Sequence, residues 1–144
     1  MPDLDPLDRY RLVRSQVEHE DNLVSQRLSW FLASQSFLFT AYAITLNGPI
    51  QLHFQNFEAQ ERLLMHLLPM VAIISAALIW LSIIAGFRAM RALRDGFYRA
   101  CGPSLPEGLP PIQTTGRTLL GGQLGPLALP LIFLAVWLIL LLRG

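Results

Sequence analysis

Few residues of this chain have the types and spacing that catalysis or metal binding requires. The three histidines, His19, His53 and His66, are far apart in the sequence, and spaced histidines without neighbouring ligands are ordinary polar residues. A lone cysteine, Cys101, excludes an intrachain disulfide and a Cys-based zinc cage. There is no phosphate-binding glycine loop and no nucleophile–base arrangement. We therefore predict a protein that is not an enzyme and that has no cofactor and no metal.

The most ordered polar pattern is a line along one helix face. At 100° per residue, ten residues each fall within roughly 40° of one line along the helix: Arg11, Glu18, Asn22, Ser25, Ser29, Ala33, Ser36, Thr40, Ala43 and Asn47. We call this line the polar stripe. It has two interpretations: a seam for close helix packing, or a water-lined face repeated around an oligomer. In the second, Ser25, Ser29, Ser36, Thr40 and Asn47 line a pore, with Glu18 and Asn22 at its inner entrance.

The elements that carry this stripe are apolar enough for a membrane. The chain has 144 residues, 53% of them hydrophobic, and its charges cluster between three apolar runs at 28–46, 67–87 and 126–142. The first run reaches about 28 Å as a helix, which is enough to cross a bilayer core. These features predict an all-α membrane protein with three transmembrane helices and a long amphipathic cytoplasmic helix, residues 1–27, continuous with the first span.

The remaining segments connect the spans. We predict an outer loop at 47–66, a cytoplasmic Arg-rich helical extension at 88–101, and a Pro/Gly-rich loop at 102–125. Within the first span, Gln35 lies away from the polar stripe and needs a partner from another helix or subunit. In the second span, small residues recur on one side and predict close helix packing: Ala72, Ser75, Ser82, Gly86 and Ala89.

Charge distribution predicts the topology. Four arginines precede the first run, one lies in the first loop, five in the second loop and one in the tail. The positive-inside rule then places the N-terminus in the cytoplasm and the C-terminus outside. All 11 basic residues are arginine, which suggests a GC-rich bacterial genome and hence the bacterial cytoplasmic (inner) membrane.

The cytoplasmic layer also contains residues of opposite charge at similar heights. Glu20 and Asp21 are level with Arg91 and Arg94 if the first two spans are antiparallel. We expect ion pairs between them. The alternative is that both faces are solvated, since exposed pairs contribute little. The basic residues of the extension also favour anionic lipid headgroups as a partner: Arg88, Arg91, Arg94 and Arg99.

The run HEDNLVSQRLSWFLASQSFLFTAYAITLN, which ends at Asn47, resembles the opening of small uncharacterised bacterial multi-spanning (three-helix) membrane proteins. The resemblance covers residues 10 to 47 best and implies no activity. Separately, Arg14 and His19 match the R-x4-H pattern of HEPN-type ribonucleases. Such an enzyme needs two facing sites and a basic path for RNA, whereas Glu18 and Glu20 oppose RNA here. We expect no nucleic-acid partner.

Two functional hypotheses follow. The first is a homo-oligomeric, channel-like assembly with first-span helices around an axis, forming a weakly selective pore or membrane effector. The second is a non-catalytic accessory or scaffold subunit of a larger membrane complex, docked through the N-terminal helix or the Arg-rich helix to an unlike membrane partner.

Overall fold

The chain forms three long helices in the computed structural model, which describes residues 5–47, 55–102, 109–112 and 117–143. Helix α1 runs over Pro6–Leu46, α2 over Gln55–Cys101 and α3 over Arg117–Arg143. Pro6 occupies the first turn of α1, where a missing N–H costs nothing, and Asp5 precedes it. As predicted, α1 continues without a break from the charged segment into the apolar run. The described residues are thus all-helical or irregular.

Helices α1 and α2 pack antiparallel over most of their length. On α1 the buried residues Tyr10, Val17, Val24 and Phe31 recur every seven positions, a spacing that keeps one side of a helix against its neighbour. Phe97 of α2 lies against Tyr10, with ring centroids 6.2 Å apart and edge to face. Helix α2 contacts both other helices, whereas α1 and α3 have few contacts with each other. The fold therefore depends on α2 as its central element.

Helices α1 and α2 approach each other closely at a glycine. A Cβ atom added at Gly86 would lie 3.0 Å from a methyl group of Val24 and 3.6 Å from a guanidinium nitrogen of Arg27. That nitrogen of Arg27 also donates a hydrogen bond of 3.4 Å to the carbonyl of Ser82. Ala72, on the same side of α2, is fully buried. The predicted small-residue packing face of α2 is confirmed.

A buried polar cluster joins all three helices. Gln35 of α1 has no exposed surface. Its amide nitrogen donates to the Ser75 hydroxyl of α2 at 3.0 Å, and its oxygen accepts a 2.6 Å hydrogen bond from the indole N–H of Trp137 of α3. Ser75 in turn donates to the carbonyl of Ala72 at 2.9 Å. The partners expected for Gln35 come from other helices of the same chain.

Two boundaries differ from those expected. Helix α2 begins at Gln55, inside the predicted outer loop 47–66, because the stretch after Phe57 is rich in helix-forming residues and has no Pro or Gly before Pro69. Helix α3 begins at Arg117, inside the predicted loop 102–125. Its glycines are tolerated there, as in other apolar helices. His53 and most of the 102–116 segment lie outside the described residues.

Two of the three helices, α2 and α3, are long and apolar enough to cross a membrane. Helix α1 is less apolar, because the hydroxyl and amide side chains of the polar stripe interrupt its apolar run. Despite this difference, all three helices contribute to one apolar outer surface. Its large exposed hydrophobic residues occupy 30–46 of α1, 63–81 of α2 and 124–142 of α3. We call this surface the apolar belt.

Candidate functional site

The polar stripe lies on the side of α1 that faces away from α2 and α3. Every one of its ten residues is exposed. Three of its hydroxyl groups donate within α1 itself: Ser29 to the carbonyl of Ser25, Ser36 to that of Leu32 and Thr40 to that of Ser36, at 2.9–3.0 Å. The side-chain amide of Asn47 likewise donates to Ala43. The stripe therefore packs against no other helix of the chain within the described residues.

A line of large apolar residues runs beside the stripe. Trp30, Phe37 and Ile44 recur every seven residues and are 77%, 73% and 67% exposed. Exposed apolar surface of this extent is typical of a protein or membrane contact. At the same height, the exposed surface of α2 is also apolar. This part of α2, residues 63–81, is about 28 Å long, close to the thickness of a bilayer core. The hydroxyls of Ser36 and Thr40 lie within this layer.

The predicted ion pairs between the acids of α1 and the arginines of α2 do not form in the structure. Arg94 instead binds the neighbouring Asp95, at 2.9 Å and 3.0 Å, and Arg91 donates a 3.0 Å hydrogen bond to the side-chain oxygen of Gln123 on α3. Each of these two guanidinium groups thus donates to an acceptor other than Glu20 or Asp21. For Glu20 and Asp21 the described residues contain no salt bridge within 4.0 Å. Arg99 donates to the backbone carbonyl of Asp95.

The N-terminal part of α1 is hydrogen-bonded to the segment 109–112, which precedes α3. The Tyr10 hydroxyl donates a 2.8 Å hydrogen bond to the carbonyl of Pro110 and accepts one of 3.0 Å from Arg14. Arg14 also binds Glu18 at 3.1 Å. Hydrogen bonds to Tyr10 and then Glu18 raise the pKa of Arg14 above its ordinary value, so this guanidinium stays charged. Arg14 is thus engaged structurally.

A groove of about 1030 Å³ runs between the charged part of α1 and the Arg-rich extension of α2. One wall carries Arg9, Gln16, His19 and Glu20, together with Leu12, which is exposed although it lies outside the apolar belt. The opposite wall is made mainly of small residues: Ala89, Ala92, Gly96 and Ala100. Nothing lies within 4 Å of the Cβ position of Gly96, so the groove is open there. The two residues of the R-x4-H pattern thus lie in different surroundings. His19 lines the groove, whereas Arg14 is bonded to Tyr10 and Glu18.

Three contact residues were missed by sequence reasoning. Trp137 and Gln123 lie in α3, whose apolar composition hid which residues face the other helices, and Tyr10 lies in the segment 1–27, for which no contact at this position was predicted. The polar character of Gln123 beside the Arg-rich extension was the available signal. Within the described residues, no group of three or more His, Cys, Asp or Glu side chains could hold a metal ion.

Together the helices define a coarse class: an all-helical protein with two helices long and apolar enough to span a membrane. No protein-family model matches the chain, and neither curated proteins nor solved structures gave a match.

Proposed function

We propose that this protein is a three-span protein of the bacterial cytoplasmic membrane, which assembles as a homo-oligomer with the polar stripe of α1 around a central axis. Its N-terminus is cytoplasmic and its C-terminus is outside. The assembly is channel-like: a weakly selective pore or membrane effector without catalytic activity.

Crossing of the membrane by α1 is supported by the position of the apolar belt. The contacts of Gln35 with Ser75 and Trp137 set the heights of the three helices relative to one another. At that register, the exposed Trp30, Phe37 and Ile44 lie level with the exposed apolar part of α2. A bilayer that covers α2 therefore also covers the second half of α1.

The single observation that carries the oligomer proposal is the exposure of the whole polar stripe at this height. In lipid, small and hydroxyl-bearing residues favour contact with another helix or with water. Because the stripe contacts neither α2 nor α3, a second copy of α1 is the natural source of that contact. Glu18 and Asn22 then lie at the inner entrance, and Asn47 at the outer one.

Cysteine substitution tests whether the stripe meets water. In a Cys101→Ser background, Ser36→Cys and Thr40→Cys in membranes should react with a small water-soluble thiol reagent. Phe37→Cys is the matched control, since Phe37 is equally exposed on α1 but lies on the apolar line. A mass measurement in mild detergent should give a defined number of identical subunits, as a closed ring requires.

The two results separate the hypotheses. Unreactive stripe cysteines in a defined oligomer would make the stripe a packing seam without a pore. A monomer in mild detergent, with the stripe cysteines equally unreactive in membranes, would contradict the assembly itself.

The groove favours a second candidate function, that of an accessory subunit. It is formed by the same two segments, α1 before the membrane and the extension of α2, through which docking to an unlike protein was expected. Small residues on the α2 wall permit close approach of another helix. Gly96→Leu should fill this wall and abolish co-purification of such a partner, whereas Gly122→Leu, also open but outside the groove, should not.

A further inference from the structure

Two arginines follow the end of the apolar run 67–87 of α2. Arg88 directly follows Phe87, the last residue of the apolar run, and Arg91 is one helical turn farther on. At about 1.5 Å per residue, they lie within roughly 6 Å of the apolar boundary. This is the depth of lipid headgroups in a bilayer. Three residues apart on one helix, the two side chains are neighbours on the same side of α2.

These two arginines differ in their partners from three others of the chain. Arg11, Arg14 and Arg94 each form a salt bridge with a carboxylate. Arg88 and Arg91 form none with any described residue. Within the described residues, the one side-chain hydrogen-bond partner of either is Gln123, which is neutral. The positive charge just beyond the apolar run of α2 is therefore not neutralised by a carboxylate within the described part of the chain.

Gln123 also fixes where one of these charges lies. Its side chain is only 6% exposed, and its oxygen accepts a hydrogen bond of 3.0 Å from one terminal nitrogen of Arg91. The guanidinium is thereby held at the junction of α2 and α3. Since arginine has five N–H donors, most of them remain available for another acceptor. A phosphate group, with several acceptor oxygens, matches a pair of guanidinium groups.

We propose that Arg88 and Arg91, with Gln123 as the positioning residue, bind the phosphate of an anionic phospholipid in the leaflet next to the N-terminal part of α1. This inference rests on the membrane insertion in the proposed function and adds a defined lipid site to it. Basic pockets between helices at this depth are where anionic headgroups bind.

Native mass spectrometry of the detergent-purified protein tests this site, with phosphatidylglycerol and phosphatidylcholine added in equal amounts. The wild type should retain phosphatidylglycerol preferentially. Arg88→Gln and Arg91→Gln should each reduce that preference about fivefold, and the double variant about 25-fold. Arg94→Gln removes the same charge but from a residue already paired with Asp95, so it should have little effect. An equal loss from all three single variants would overturn the site, because net charge alone would then explain the binding.

Two further measurements address positioning and ligand source. Gln123→Leu keeps both charges but releases Arg91, so it should weaken phosphatidylglycerol binding while leaving Arg88 in place. Unchanged binding in that variant would remove Gln123 from the site. Displacement of the lipid by inorganic phosphate at millimolar concentration would assign the site to free phosphate and overturn the lipid proposal.

The site and the oligomer can fail separately. The Arg88→Gln/Arg91→Gln variant should remain in the membrane fraction with wild-type stoichiometry. If it does and still retains phosphatidylglycerol as the wild type does, only the lipid site is contradicted. If the wild type binds lipid selectively as a monomer, the assembly proposal fails and the lipid site stands.

Discussion

The indole N–H of Trp137 donates a 2.6 Å hydrogen bond to the side-chain oxygen of Gln35, deep within the apolar layer. Gln35 lies on α1 and Trp137 on α3, two helices whose backbones come close at few positions. Phe39 stacks on the Trp137 ring at 4.3 Å between centroids, and Tyr42 meets it edge to face. The hydrogen bond therefore fixes the position of α3 relative to α1, although most backbone contacts of both helices are with α2.

We predict that Gln35→Leu destabilises the folded chain by about 1–2 kcal/mol, because it leaves the buried N–H of Trp137 without an acceptor and removes the hydrogen bond that the Ser75 hydroxyl accepts. The midpoint of thermal unfolding in mild detergent measures the effect. Ser36→Ala is the control: its hydroxyl is exposed and donates to its own helix. If Gln35→Leu and Ser36→Ala have the same midpoint, the buried cluster does not stabilise the three-helix arrangement.

A second prediction concerns the contact of Gly86 with Val24. Gly86→Ala places a methyl group 3.0 Å from a Val24 methyl, so α1 and α2 must separate and stability should fall by about 1 kcal/mol or more. Gly96→Ala makes the same chemical change on the same helix with nothing within 4 Å, so it should be neutral or stabilising. Unfolding midpoints of both variants are compared with the wild type.

The double variant Gly86→Ala/Val24→Ala identifies the cause. Removing the Val24 methyl groups makes room for the new one, so the double variant should lose less stability than the two single changes added together. Strictly additive losses would mean that the two residues are not in the tight contact described here.

The third prediction concerns the attachment of residues 109–112 to α1. Tyr10→Phe removes the hydrogen bonds of the hydroxyl to Pro110 and Arg14 while it keeps the ring against Phe97. We expect a loss of about 1 kcal/mol in stability and faster amide hydrogen exchange at Leu109. Tyr98→Phe is the control, since its hydroxyl makes no hydrogen bond with a described side chain or backbone group. If amide exchange at Leu109 were equally slow in the Tyr10→Phe and Tyr98→Phe variants, the hydroxyl of Tyr10 would not be what attaches residues 109–112 to α1.

Sequence periodicity was sufficient for helices whose polar and apolar residues alternate regularly. The continuity of α1, the small-residue packing face of α2 and the need of Gln35 for a partner were all predicted. Helix ends were less predictable. The glycines at the start of α3, for example, predicted a loop, although an apolar helix tolerates glycine. The partners of Arg91 and Arg94 could not be predicted. Their heights along the helix suggested Glu20 and Asp21, but the direction of each side chain decides which acceptor is nearer.

The final prediction concerns topology, which depends on how many helices cross the bilayer. Cys101 ends α2, level with Arg9, whose guanidinium lies 3.9 Å from the sulfur. If α1 and α2 both cross, Cys101 is cytoplasmic and Asn47, at the other end of α1, is outside. A membrane-impermeant maleimide should then label Cys101 in inverted vesicles and not in intact spheroplasts. Because Cys101 is only half exposed, denatured samples measure the full extent of labelling.

The matched variant reverses the expected pattern. Asn47→Cys in a Cys101→Ser background places the single cysteine at the exposed end of α1, so it should be labelled in spheroplasts and protected in inverted vesicles. Labelling of both cysteines from the cytoplasmic side would mean that α2, which connects them, does not cross the membrane, and neither then does α1, which packs along it. The stripe would then face the cytoplasm rather than an axis within the bilayer, and the accessory-subunit function would be the better explanation. Labelling of Cys101 from outside alone would instead keep the spans and invert the assigned orientation.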